Sequence, residues 1–184
     1  MQFLASPAQL RASLLRWSLF IVPVIVALGF LSGMAAGSGP DNPWFAGLAK
    51  PAIYPPPVTF PIVWSVLYVL MGVALAMVLS ARGAAGRSVA FIAFIVQLLL
   101  NLAWSPIFFA LHQVGVALGV IVALALVLAL TIALFARIRP LAAWLLAPCL
   151  VWVCFAGVLN WQFARLNPDA ATRSDSGASV RMEL

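Results

Sequence analysis

The sequence predicts an all-α integral membrane protein, a bundle of five transmembrane helices. Two features predict it. Of 184 residues, 65% are hydrophobic and 8% charged, against nearly half and a quarter in a soluble domain. The charges are also segregated, because no Asp, Glu, Lys or Arg occurs in 17–40, 51–81, 88–136 or 140–164. A bilayer core is crossed by about 20 apolar residues in helix, so three of these runs fit one span each. The run 88–136 must be two spans, and its only suitable break is Leu111-His112-Gln113 before Gly115.

Helices are therefore expected near 17–37, 58–81, 89–111, 114–136 and 141–166. They are helices because backbone polar groups in lipid must bond within their own segment. Period-two alternation is absent, which argues against an outer-membrane barrel. Residues 1–16 read as a basic lead-in, 17–167 as one transmembrane domain, and 168–184, polar and small, as a disordered tail. Arg11 and Arg16 precede the first run and Ala35-Ala36-Gly37 ends it, as in a signal peptide. The run exceeds a signal core in length, so it is read as a retained span.

Basic residues set the expected orientation. The N-terminus and the second and fourth loops share one side, with Arg11, Arg16, Arg82, Arg87, Arg137, Arg139 and no acid. The other side balances Lys50, Arg165, Arg173 and Arg181 against Asp41, Asp169, Asp175 and Glu183. The positive-inside rule makes the N-terminus cytoplasmic and the long first loop external. The basic pI follows from this topology and from attraction to anionic lipid, and it gives no reason to expect nucleic acid.

The inventory excludes several chemistries. No acid lies inside a span, which argues against a proton-coupled transporter. The one His and the acids are too scattered for a catalytic relay, and two Cys with one His make no zinc spacing. Cys149 and Cys154, five apart on a helix, point about 140° from each other and are read as apolar packers.

Uncharged polar and aromatic stripes remain. The third span carries Gln97, Asn101, Trp104 and Phe108; the second Trp64, Tyr68 and Met71; the fifth Cys149, Trp152, Ala156, Asn160 and Phe163. Each stripe follows helical spacing. An amide facing lipid would lack a partner, so the stripes are expected to face inward. Such amides serve as interhelical glue or as a binding site, and their aromatic neighbours favour a cavity for flat apolar ligands. Trp17, Trp144 and Trp161 fall near span ends, where indoles prefer the headgroup region. Gly29, Gly33 and Gly37, and likewise Gly115 and Gly119, recur at every fourth residue, a spacing that lets helices approach closely. The first loop, with Trp44, Phe45 and a proline run that includes Pro55 and Pro56, is stiff and is expected to cover the bundle mouth as a lid.

The segment Trp44-Phe45-Ala46-Gly47-Leu48-Ala49-Lys50-Pro51 with Pro55-Pro56 resembles the first loop of the translocator protein family, the tryptophan-rich sensory proteins. The resemblance continues through Phe60-Pro61, Trp64, Tyr68 and Met71-Gly72, then Gln97, Asn101, Trp104 and Phe108, then Pro148, Trp152, Ala156, Asn160 and Asn167. It implies five spans, a homodimer, and a pocket closed by the first loop. The implied ligands are protoporphyrin IX, haem and other hydrophobic small molecules, with no resident cofactor required. It implies pocket residues at Trp64, Tyr68, Asn101, Trp104, Trp152 and Ala156; the stripes add Gln97 and Phe108. Pro148-Cys149-Leu150 departs from the family's Pro-Tyr-Leu, and the pattern proposed for sterol contact is incomplete. The leading reading is a receptor or carrier for tetrapyrroles in a bacterial cell membrane. The alternatives are light- or oxygen-dependent porphyrin breakdown, an enzymatic role that spacing does not demonstrate, and a ligand-free assembly protein.

Overall fold

A computed structural model describes residues 7–171. Its elements are α1 (Pro7–Ala35), the short α2 (Pro43–Ala46), α3 (Thr59–Ser80), α4 (Arg87–Ser105), a π-helical turn (Pro106–Ala110), α5 (Val114–Ile138) and α6 (Pro140–Leu166). The described residues include five helices long and apolar enough to cross a membrane. α1 packs on α3, α3 on α6, α6 on α5, α5 on α4, and α4 back on α1, so the five long helices close into a ring.

Two boundaries differ from expectation. α1 begins at Pro7, not near 17. A charge-free run marks where lipid begins, whereas residues 7–16 hold good helix formers behind a proline suited to a first turn. At the other end, Pro168–Ala171 form a turn, and Ala170 is buried. These four residues are thus ordered where the sequence reading expects a disordered tail; the rest of that segment, 172–184, lies outside the described residues.

The π-helical turn has a local cause. Pro106 has no N–H to donate to the Leu102 carbonyl, and an unmet carbonyl in a bundle is costly. The Ser32 hydroxyl of α1 supplies the missing donor at 2.6 Å. Leu111 N–H then reaches back to Pro106 O at 2.9 Å, which widens the turn.

The glycine repeats divide by position. A Cβ on Gly29 would lie 2.1 Å from the Tyr68 ring, so this glycine lets α1 approach α3. Gly72 does the same from the other side, because its Cβ would meet Val22 Cα at 2.8 Å. Gly33 has room, with only Ser38 Oγ at 4.0 Å. Gly37, at φ +61°, ends α1 instead of packing it: Ser38 N–H bonds Gly33 O and Gly37 N–H bonds Met34 O, each at 3.0 Å. Gly115 and Gly119 meet nothing within 4 Å and face outward. Trp17, Trp144 and Trp161 are exposed on the bundle surface.

The ring has two ends. Near Arg82 and Arg139 its centre is filled by Val78, Ala90, Phe94, Leu128, Phe135, Ala142 and Leu146, all fully buried. Phe94 and Phe135 stack there with centroids 6.0 Å apart. The end beneath the first loop is hollow.

Candidate functional site

The hollow is a cavity of about 510 Å³ enclosed mainly by α1, α3, α4 and α6 and by the first loop. Trp64, Tyr68, Asn101, Trp104, Phe108, Trp152 and Ala156 all line it, as do Phe45, Tyr54, Phe60, Asn160 and Phe163. The stripes converge because positions i, i+4 and i+7 share one helix face. The volume lies within the range of small-molecule sites.

The polar groups of the wall are held in a fixed order. Tyr68 OH donates to Asn101 Oδ1 at 3.0 Å. Trp104 Nε1–H donates to Asn160 Oδ1 at 3.0 Å, and Asn160 Nδ2 donates to Val114 O at 2.9 Å. Asn160 therefore serves both as glue and as wall. Two donors remain, Asn101 Nδ2 and Trp152 Nε1, buried and without a hydrogen-bond partner. A buried donor without a partner is costly in a packed core. Trp64 stacks on Tyr68 with centroids 5.3 Å apart, so its ring is presented as a face.

Gln97 differs from its stripe. It is fully buried, its amide atoms have no partner, and it is outside the cavity wall, because the cavity stops at the level of Asn101. Trp44, Pro55 and Pro56 are also absent from the wall; the loop residues that form it are Ser38, Gly39, Pro40, Phe45, Tyr54, Pro57 and Val58. Sequence reasoning missed the share of Gly29 and Gly33, whose lack of side chains leaves α1 open to the cavity. It also left Tyr54 and Phe60 out of the site, although both lie in the aromatic, proline-rich stretch it singled out.

The first loop is fastened at several points. Asn42 caps α2 by accepting Phe45 N–H at 3.0 Å and ties back to Gly37 O at 3.1 Å. Phe45 is buried among the rings of Tyr54, Phe108, Phe109 and Phe163. Trp44 stacks on His112, centroids 4.3 Å apart, and its Nε1–H donates to Ala170 O at 2.8 Å. Asn167 pairs with the Ala49 backbone in both directions: it accepts Ala49 N–H at 2.8 Å and donates to Ala49 O at 3.1 Å. The Lys50 ammonium lies 4.0 Å from the Phe45 ring centroid and donates to Phe45 O and Leu48 O. Burial lowers the Lys50 pKa from its ordinary value and raises that of the Tyr54 phenol.

A ring of five apolar helices around an aromatic cavity, covered by a fastened loop, defines a membrane protein built around a hydrophobic site. Residues 20–166 match the TspO/MBR family. The chain is 38% identical over 148 residues to the tryptophan-rich protein TspO of Chlorobaculum tepidum, covering 80% of this chain and 93% of that one. It is 35% identical to the tryptophan-rich sensory protein of Cereibacter sphaeroides (82% and 92% covered) and 38% identical to the translocator protein of Sus scrofa (72% and 79% covered). The chain belongs to the TspO/MBR family and is a multi-pass membrane protein.

Proposed function

We propose that the protein is a membrane receptor or carrier that holds porphyrin-type tetrapyrroles and other flat apolar ligands in the cavity beneath the first loop. The observation that carries this reading is the convergence of Trp64, Asn101, Trp104 and Trp152 from three helices on one cavity. Aromatic faces suit a planar macrocycle through stacking and burial. The unpartnered Asn101 Nδ2 and Trp152 Nε1 would be met by acceptor atoms of a ligand. The first loop acts as the lid, and protoporphyrin IX or haem is cargo, not a resident cofactor.

In this reading the N-terminus is cytoplasmic, the first loop is external, and the membrane is the bacterial cell membrane. The six-to-zero basic asymmetry supports the orientation. Cys placed at exposed Ala46 should react with an impermeant thiol reagent in intact spheroplasts, and Cys at Ala84 should not, with Cys149 and Cys154 replaced by Ala. The reverse pattern would invert the topology. The protein acts as a homodimer, a reading supported by the outward face of Gly115 and Gly119.

The test is titration of purified protein with protoporphyrin IX, followed by Trp fluorescence. Saturable quenching that weakens in Trp64→Leu and Trp152→Leu is expected. Equal affinity of the folded parent and both variants would remove the reading. Illumination of the complex should leave the porphyrin spectrum unchanged; new bilin-like absorption would move the assignment to pigment breakdown.

A further inference from the structure

A second cleft, of about 720 Å³, opens at the opposite end of the ring. Arg16 of α1, Arg82 of the α3–α4 loop and Arg139 between α5 and α6 line it, with Ser13 and Ser80. Three observations set it apart from an ordinary solvated basic surface. Among the described residues, none of these three guanidiniums has a hydrogen bond or ion pair, whereas Arg87 beside them donates to Leu79 O at 3.3 Å. The described carboxylates, Asp41 and Asp169, belong to the first loop and to the turn after α6, at the other end of the bundle. Ser13 is 9% exposed and lines the cleft, and its hydroxyl is buried without a partner. A hydroxyl so buried calls for a partner, and here the cleft is where one can be supplied.

Depth fixes the setting. Arg16 immediately precedes the charge-free run 17–40, Arg82 immediately follows 51–81, and Arg139 immediately precedes 140–164. All three therefore stand where the hydrocarbon ends and headgroups begin. Guanidinium forks match the oxygens of a phosphate and bind it through charge-assisted hydrogen bonds.

We propose that this cleft is a binding site for a phosphate group, held by Arg16, Arg82 and Arg139 with Ser13 Oγ as a further donor. The group is that of an anionic lipid headgroup or of a free phosphate. The site is separate from the aromatic cavity and stands whether or not that cavity takes porphyrins.

The test uses the full chain in nanodiscs of phosphatidylcholine, with or without phosphatidic acid. Lipid retained on release into detergent is counted by native mass spectrometry. In parallel, inorganic phosphate is titrated against the melting temperature in neutral lipid. Retention of phosphatidic acid assigns the headgroup; a saturable phosphate shift assigns the free anion; both support the site. Arg82→Gln and Arg139→Gln should each weaken the effect about tenfold. Arg137→Gln, which removes the same charge from outside the cleft, should leave it unchanged. Arg82→Lys keeps the charge without the fork and serves if Arg82→Gln fails to fold; it should show a smaller loss. Ser13→Ala should raise the melting temperature in neutral lipid, by removing an unmet hydroxyl, yet weaken phosphate or lipid binding. Two results would each overturn the proposal: neither probe acting on the parent, or Arg137→Gln costing as much as Arg82→Gln.

Discussion

The two ends of the bundle are built from the same five helices and differ in what fills them. Toward the arginine end Phe94, Leu128, Phe135 and Leu146 fill the centre of the ring, and the basic cleft opens beyond them. At the first-loop end a similar wealth of rings, Trp64, Trp104, Trp152 and Phe163 among them, encloses an empty volume. Lipid tails are as apolar as these side chains, so helices gain little by hiding apolar surface from lipid and must gain by close contact. The filled end supplies that contact. The hollow end forgoes it across its centre, keeps it along the α1–α3 seam at Gly29 and Gly72, and is held besides by hydrogen bonds at Asn101 and Asn160 within the ring and at Asn42 and Asn167 in the loop. Stability and vacancy are thus assigned to different depths of one ring.

If so, substitutions at the two ends should fail differently. The largest effects on stability are expected where packing is tightest, at the α1–α3 seam beside the cavity and in the filled end. Gly72→Ala drives a methyl into the Val22 backbone and should cost about 1–3 kcal/mol, read as a lower melting temperature in detergent. Gly33→Leu, one turn from Gly29 on α1, has space and should keep the parent's melting temperature while shrinking the cavity. At the filled end, Phe94→Ala should cost about 1–3 kcal/mol through lost dispersion contacts and leave porphyrin affinity nearly unchanged. An equal loss of affinity there would erase the distinction between the ends.

Asn167→Ala should act locally. It removes both bonds to Ala49, worth about 1–3 kcal/mol together. Hydrogen exchange should quicken in the first loop and not in α4 or α5. The smallest expected effect on stability belongs to Trp64→Leu and Trp152→Leu, which keep the wall apolar. Their cost should appear in porphyrin affinity, about three- to tenfold, from one lost stacking face. Trp144→Leu, on the bundle surface, should change neither quantity.

Much of this arrangement was legible in the chain. Charge-free runs located the spans within a few residues, except where α1 continues outward to Pro7. Helical period identified the inward faces of α3, α4 and α6, and the buried Tyr68, Asn101 and Asn160 lie on them. Period gives direction around a helix and not depth along it, which is why Gln97 shares the stripe of Asn101 but lies outside the cavity wall. The glycine repeat likewise could not distinguish Gly29 against a ring from Gly37 ending a helix, because both meet the same spacing rule. The π-helical turn depends on Pro106 at its head and on Ser32 in α1, seventy residues from the Leu102 carbonyl it serves; no local pattern joins them. The loop was recognised as stiff and aromatic, yet Phe45 and Tyr54, not Trp44, face the cavity, since Trp44 is committed to His112 and Ala170.

The fastening of the first loop also orders the birth of the protein. Ala49 and Asn167 are separated by 118 residues and Trp44 and Ala170 by 126. A ribosome makes the loop early and its fasteners last, and contacts so distant in sequence form late. These two fasteners therefore close only after the final helix has been made. A chain halted before Asn167 would have its five long helices and neither of these two fasteners, so the loop would rest on its remaining contacts, those with Phe108, Phe109 and His112 among them.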